Sequence, residues 1–309
     1  MNSQPNRPRP EAPYVMPVGI PSPEELENLT PRALLKRLHL SARKGFSQSF
    51  LTDSYVVKEI LEAADLQQDD QVLEVGPGLG VLTRGLLKRV ARVVAVEFDP
   101  ILAQLLPRLV ATTDRLELHH ADFLDFDLTS AFPKPYKVVA NLPYHITSPA
   151  IRKLLTADTK PRLMVVMVQK EVADRIAAKP GETSLLSIMV QLYSRVSAVV
   201  QVQATAFYPA PKVDSTVLKM ELYDRPPVDI DDPEAMLKIV AAGFSRRRKQ
   251  LHNSLAEGLW FPPGGVMELL QSAGIDPARR AQTLTLEEWA ELYRCYQRLK
   301  GVWQLEETQ

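Results

Sequence analysis

The sequence predicts an α/β protein: a doubly wound, mostly parallel sheet followed by a smaller C-terminal helical domain. Three observations carry this. Apolar strand-like runs alternate with helix-like segments from Gln71 to Ala178, the rhythm of a parallel sheet with helices on both faces. Two of those runs, VVAV (Val93 to Val96) and LMVVMV (Leu163 to Val168), are unbroken apolar stretches, as strands buried on both faces require. Beyond DRPPVDIDDPEA, a linker rich in proline and aspartate, only helical spacing is found.

Residues 1–23 are rich in proline and poor in large aliphatics, so they are expected to be a disordered tail. In TPRALLKRLHL, Thr30 is placed as N-cap and Pro31 as first residue of a short amphipathic helix. ARKGFSQSFLTD is polar and basic with two phenylalanines. SYVVKEILEAADL has helical spacing, with Val56, Ile60 and Leu61 on one side. QVLEV is the first strand of the alternating region and breaks into a glycine turn, with VLTRGLLKRV as the following helix. RVVAVEFD is a strand and PILAQLLPRLV a helix, with Pro107 expected to kink or break it. LELHHADFLDFD, KVVANLPY and RLMVVMV supply further strands, while SPAIRKLL, QKEVADRIAA and LLSIMVQLYS supply helices. SAVVQVQATAF and STVLKMELY alternate as antiparallel strands do. The sheet domain is expected over 24–223 and the helical domain over 224–309.

Composition narrows the function classes. Among 309 residues, 45% are hydrophobic and 24% charged, and the net charge is zero. That suits a globular protein, and any nucleic-acid binding must rest on a local basic surface. One cysteine, Cys295, excludes an intrachain disulfide and a cysteine-rich zinc site, which fits a reducing cytoplasm. No apolar run reaches the roughly 18 residues of a membrane span, and the N-terminal stretch lacks a signal-peptide core.

The chemistry gathers at strand ends, where open parallel sheets bind ligands. The turn Gly76-Pro77-Gly78-Leu79-Gly80 lets backbone approach a ligand closely. Its G-x-G-x-G spacing is not the dinucleotide fingerprint and alone is a weak signal. Glu97 closes the next strand, where an acid can accept both hydroxyls of a ribose; nicotinamide enzymes share that feature. Asp122 follows the third strand, where a carboxylate can accept from an adenine amine. His119 and His120, adjacent in a strand, point to opposite faces and are read as structural, so no metal ligand is assigned. In VVANLPYHITS, Pro143 holds Leu142 extended. The Asn141 side-chain oxygen and the Leu142 carbonyl then offer two acceptors to one planar exocyclic amine, and Tyr144 offers a ring to the base that carries it. Drawing on both amine hydrogens favours a pyramidal nitrogen and frees its lone pair.

The segments FSQSFL, EVGPGLGVLT, VVAVEFD, HADFLDFD, VVANLPYHITSP, VQKEVADRI, FYPAPKVDSTV, FSRRRKQLHNSL and GIDPARRAQTLT resemble the ribosomal RNA adenine dimethylase family, closest to its bacterial small-subunit (16S) branch. The resemblance runs from about Leu34 to about Leu299. It implies a Rossmann-like methyltransferase fold, S-adenosylmethionine as cofactor, and dimethylation of two adjacent adenosines near the 3′ end of 16S rRNA. It implies that Gly76, Gly78 and Gly80 cradle the methionine side of the cofactor, and that Glu97 and Asp122 take its ribose and adenine. It implies that Asn141, Leu142, Pro143 and Tyr144 receive the target amine, and that Phe207 stacks on the other face of the flipped adenine. FSQSFL resembles the family's FGQNFL, so Gln48, Ser49 and Leu51 join Asn141 at the cofactor, with Ser47 and Ser49 departing from the pattern. His145 replaces a more usual amide residue.

Arg246-Arg247-Arg248-Lys249 is the densest basic run. With Arg43, Lys44 and Lys212 it is expected to form an RNA-facing rim. The expected partner is 16S rRNA in an immature small subunit, bound by a cytoplasmic monomer. Two rivals share the fold: a large-subunit adenine dimethylase, against which FSRRRKQLHNSL and GIDPARR speak, and a non-catalytic assembly or transcription factor, against which the intact NLPY speaks. A nicotinamide dehydrogenase leaves Asp122 and NLPY unexplained.

Overall fold

A computed structural model describes residues 25, 29–43, 48–110, 114–246 and 248–306. The expected tail and two of the basic residues, Lys44 and Arg247, lie outside them, as does Ser47. In chain order the elements are α1 (Pro31–Arg37), β1 (Phe50–Leu51), α2 (Ser54–Ala63), β2 (Gln71–Val75), α3 (Val81–Leu87), β3 (Arg92–Glu97), α4 (Pro100–Leu109), β4 (Leu116–His120), α5 (Leu128–Ala131) and β5 (Lys137–Asn141). Then follow α6 (Thr147–Leu155), β6 (Leu163–Gln169), α7 (Lys170–Ile176), α8 (Leu185–Tyr193), β7 (Ser194–Val202), β8 (Phe207–Tyr208), β9 (Ser215–Leu222), α9 (Pro233–Gly243), α10 (Leu251–Gly258), α11 (Gly265–Ser272) and α12 (Leu286–Glu306).

Seven strands form one sheet in the order β4-β3-β2-β5-β6-β9-β7. The pairs β3–β4, β2–β3, β2–β5 and β5–β6 are parallel. The order changes direction beside β2, so the crevice for a ligand opens past the ends of β2 and β5. The end of β6 meets the start of β9, where the Lys170 amide donates to the Asp214 carbonyl at 2.9 Å. The Ala204 amide, just past β7, donates to Asp214 Oδ1 at 2.9 Å. So β9 runs against both neighbours, and the end of β7 comes to the same edge as the crevice. β2, β3, β5 and β6 are buried nearly throughout, the reason their sequences are apolar without alternation.

Local signals set the helix starts. Thr30 accepts from the Ala33 amide at 3.2 Å as N-cap of α1, and Asp99 caps α4 ahead of Pro100. Pro107 does not end α4, which continues to Leu109. Lacking an N–H, it gives up the bond to the Ala103 carbonyl, and the helix continues past that gap with Leu102, Leu105, Leu106 and Leu109 buried.

The described chain forms two compact units. One holds the residues up to Lys170 with Ala198–Lys219; the other holds Glu171–Ser197 with the residues from Met220 on. The sequence boundary at 224 differs from this grouping in residues 171–197 and 220–223; α8 packs against α9 and α12. In that second unit Trp289 of α12 is fully buried and lies so close to Gly243 that a Cβ there would stand 2.4 Å from its ring.

Candidate functional site: a cofactor and target-amine crevice

Three segments far apart in sequence converge beyond the ends of β2 and β5. The glycine turn is one. Gly76, Gly78 and Gly80 all have positive φ, +68°, +58° and +76°, which L side chains resist. A Cβ on Gly80 would stand 2.6 Å from Val110 and 2.8 Å from Leu106, so that glycine is required by packing against α4 as well as by the turn. A Cβ on Gly78 would touch the Phe50 ring at 3.3 Å, and one on Gly76 would lie 3.5 Å from Pro143. The turn is thus pressed between the FSQSFL segment and NLPY.

Glu97 closes β3 and is 6% exposed. Its Oε2 accepts from the Gly78 amide at 3.0 Å and its Oε1 from the Asp99 amide at 2.8 Å. Burial pushes its carboxyl above the usual carboxylate range, and those two amides oppose the shift. It therefore sets the glycine turn from within. Asp99 is a participant that sequence reasoning did not single out. Its buried carboxylate caps α4, accepts from Gln48 Nε2 at 2.7 Å and pairs with Arg43 at 3.7 Å. The Gln48 side-chain oxygen in turn accepts from the Arg43 amide at 2.9 Å. The signal was present in EFDP, where an aspartate before proline marks a helix start.

Asn141 ends β5. Its Nδ2 donates to the Ser49 carbonyl at 3.4 Å, so the contact with this segment goes to backbone rather than to the Ser49 hydroxyl. Leu142 is buried, and its amide donates to the Met167 carbonyl at 3.2 Å. The Pro143 carbonyl accepts from the Ile146 amide at 3.1 Å and from the Thr147 hydroxyl at 3.2 Å, which fixes the start of α6. The Tyr144 hydroxyl meets Ser215 Oγ at 2.8 Å; burial raises its pKa, and the Ser215 bond opposes that rise. Ser215, fully buried at the start of β9, was also missed, though it lies within FYPAPKVDSTV. His145 is exposed.

Phe207 comes to this edge through a second, two-stranded sheet: β1 and β8 pair antiparallel, Leu51 opposite Phe207 and Phe50 opposite Tyr208. Phe207 is 4% exposed and Leu51 2%. Asp122, half-buried, follows β4 and accepts from the Leu124 amide at 2.8 Å through Oδ1. His119 pairs with Glu117 at 2.7 Å and lies 4.9 Å from the Phe126 ring. No cluster of three metal-ligating side chains occurs among the described residues.

The basic residues fall differently. Arg246, Arg248 and Lys249 lie in the connection between α9 and α10, not on a helix, and are exposed. Arg246 is committed to Glu257 at 2.6 Å. Lys212 is exposed.

Residues 39–298 match the family model described as ribosomal RNA adenine dimethylase. A protein of Dehalococcoides mccartyi named ribosomal RNA small subunit methyltransferase A is 45% identical over 263 residues, 84% of this chain and 90% of that one. A protein of the same name from Geobacillus kaustophilus is 40% identical over 275 residues, 84% and 93% of the two chains. The solved structure of a dimethyladenosine transferase from Plasmodium falciparum superposes with a TM-score of 0.69 at 26% identity, covering 81% of this chain and 98% of that one. The 23S rRNA methyltransferase ErmE gives 0.62 at 29%, covering 80% and 98%. The sheet is that of a Rossmann-like methyltransferase, and with a family match across most of its length the chain belongs to the ribosomal RNA adenine dimethylase family.

Proposed function

We propose that this chain dimethylates the exocyclic N6 amines of two adjacent adenosines near the 3′ end of 16S rRNA, using S-adenosylmethionine, on an immature small ribosomal subunit in the cytoplasm. It acts as a monomer, with residues 24–223 as catalytic domain and 224–309 as RNA-binding domain. Relatives at 36–45% identity carry the small-subunit name, against 29% for the large-subunit ErmE, and FSRRRKQLHNSL and GIDPARR favour the same branch.

The observation that carries the chemistry is the orientation of Asn141. One N–H of its amide donates to the Ser49 carbonyl, and its oxygen is the atom able to accept. Asn141 Oδ1 and the Leu142 carbonyl would draw on both hydrogens of the target amine and expose its lone pair. Tyr144, steadied by Ser215, would stack on the base, with Phe207 on the opposite face.

The residues present fit the cofactor. The three left-handed glycines form a cradle without side chains. Each Glu97 oxygen holds one amide and keeps a lone pair for a ribose hydroxyl. Asp122 Oδ2 remains to accept from adenine. Gln48, Ser49 and Leu51 close the side formed by the first segment. S-adenosylmethionine, when bound, supplies an electrophilic methyl group; the protein's part is position and hydrogen bonding. Arg43, Lys44, Lys212 and the run from Arg246 to Lys249 would meet RNA phosphates.

Mass spectrometry of rRNA from cells with and without the gene tests this. Two dimethyladenosines should disappear from small-subunit RNA. A loss confined to large-subunit RNA would favour the ErmE-like reading, and no change in either RNA would sink the enzyme.

A further inference from the structure

We infer that Lys153 is a positioning residue that aims Asp122 at the base of the cofactor and thereby sets the preference for adenine; this rests on the proposed adenine role of Asp122. Lys153 belongs to α6, the helix that starts where the NLPY turn ends and is tied to it through Thr147 and Pro143. Its ammonium reaches across to the loop after β4, donating to the Leu124 carbonyl at 2.8 Å and the Phe126 carbonyl at 2.5 Å. It also stands 5.5 Å from the centre of the buried Phe123 ring.

Those carbonyls belong to the segment that orients Asp122. The Leu124 amide donates to Asp122 Oδ1, the Asp125 amide to the Asp122 carbonyl at 3.1 Å, and the Phe126 amide to the Phe123 carbonyl at 3.2 Å. One residue, Leu124, thus bonds Asp122 through its N–H and Lys153 through its C=O. An ammonium has three donors and no acceptor, so two of them staple this turn at two points. Asp125, Asp122 and Asp127 surround the charge and support it against the cost of burial, which lowers the pKa of the amine. Removing the staple frees the turn, and with it the direction of the Asp122 carboxylate.

A carboxylate aimed at an exocyclic amine accepts from adenine and opposes hypoxanthine, which presents a carbonyl oxygen at that position. Sites built on such a hydrogen bond discriminate strongly against the analogue that lacks it. The readout is the ratio of affinities for S-adenosylhomocysteine and S-inosylhomocysteine, measured by calorimetry on the full chain. Asp122→Ala should collapse the ratio. Lys153→Met should lower it about tenfold, the equivalent of one charge-assisted hydrogen bond, by weakening the adenosyl ligand while leaving the inosyl ligand nearly unchanged. Lys153→Arg, which keeps charge and donors, should retain most of the preference. A residue that merely braced the fold would weaken both ligands alike, so equal weakening overturns the inference. An unchanged ratio in Lys153→Met, with collapse in Asp122→Ala, overturns it too. If Asp122→Ala keeps the preference, the adenine role of Asp122 falls first and Lys153 with it. Thermal melting monitors folding, and Lys153→Gln, which keeps two N–H donors but not the charge, serves as the readout if the methionine variant does not fold.

Discussion

At the scale of single residues, Asn141 and Tyr144 show how one hydrogen bond fixes a functional group. Asn141 donates through its nitrogen to the Ser49 carbonyl, and the proposed role falls to its oxygen. Asn141→Ala should lower the single-turnover methyl-transfer rate by about 10²–10³-fold at saturating cofactor, as loss of one preorganised partner does, with RNA affinity nearly intact. A wild-type rate would make NLPY scaffolding. Stacking alone predicts that Tyr144→Phe is harmless, since the ring remains. The bond to fully buried Ser215 changes that expectation. Tyr144→Phe leaves the serine unpaired and the ring untethered, so its rate should fall between wild type and Tyr144→Ala.

Glu74, the first residue of the EVGPGLGVLT segment, was given no role from sequence. It sits on β2, 1% exposed, and neither its Oε2 nor the Thr83 hydroxyl beside it completes a hydrogen bond among the described residues. Burial pushes its carboxyl to about 8; nearby Glu97 adds to the shift, and Thr83 and Arg84 oppose it. Between the ordinary 4.5 and about 8 the folded chain keeps a proton that the unfolded chain has released. Stability contributed by this group is full below 4.5 and is lost as pH rises through that window. Glu74→Gln cannot ionise, so its melting temperature should gain on wild type steadily from about pH 4.5 to about pH 8. Parallel melting curves for the two proteins would show that Glu74 does not titrate there.

At the scale of elements, periodicity and caps were legible because they are local. Thr30, Asp99 and the VVAV and LMVVMV runs state their structure within a few residues. Pro107 was not, since a proline removes the bond to the carbonyl four residues back, and whether the helix continues past that gap depends on the packing of its buried face. The basic run is another case. A helix face is the ordinary expectation for such a run, but the described residues place it in the connection between α9 and α10, which presents its charges without helical spacing. Arg246 already pairs with Glu257 at the surface, so Arg248 and Lys249 are the stronger candidates for phosphate binding. Replacing both with glutamine should weaken RNA binding and flatten its logarithmic salt dependence by roughly 0.7–0.9 for each phosphate no longer neutralised. Cofactor affinity should stay unchanged. An unaltered slope would assign the segment to solvent.

At the scale of the whole molecule, the order of amino acids was enough to establish the α/β class and to place the candidate residues Glu97 and Asn141 at strand ends. Glycines with positive φ, an acid at the end of β3 and an Asn-Leu-Pro-Tyr exit from β5 are local statements, written in consecutive residues, and so readable without coordinates. Folding in three dimensions set the meetings between residues far apart in the chain. Asn141 meets Ser49, Gln48 meets Asp99, Tyr144 meets Ser215, and Lys153 meets Leu124 and Phe126. Glu97, expected only as a ligand acceptor, also holds the glycine turn through Gly78. Residues 171–197, expected within the sheet domain, pack with the C-terminal helices. The physical reason is the same in each case. A hydrogen bond or a packed face is specified by where two backbones arrive, and that depends on strand order and sheet crossing, which no short stretch of sequence contains.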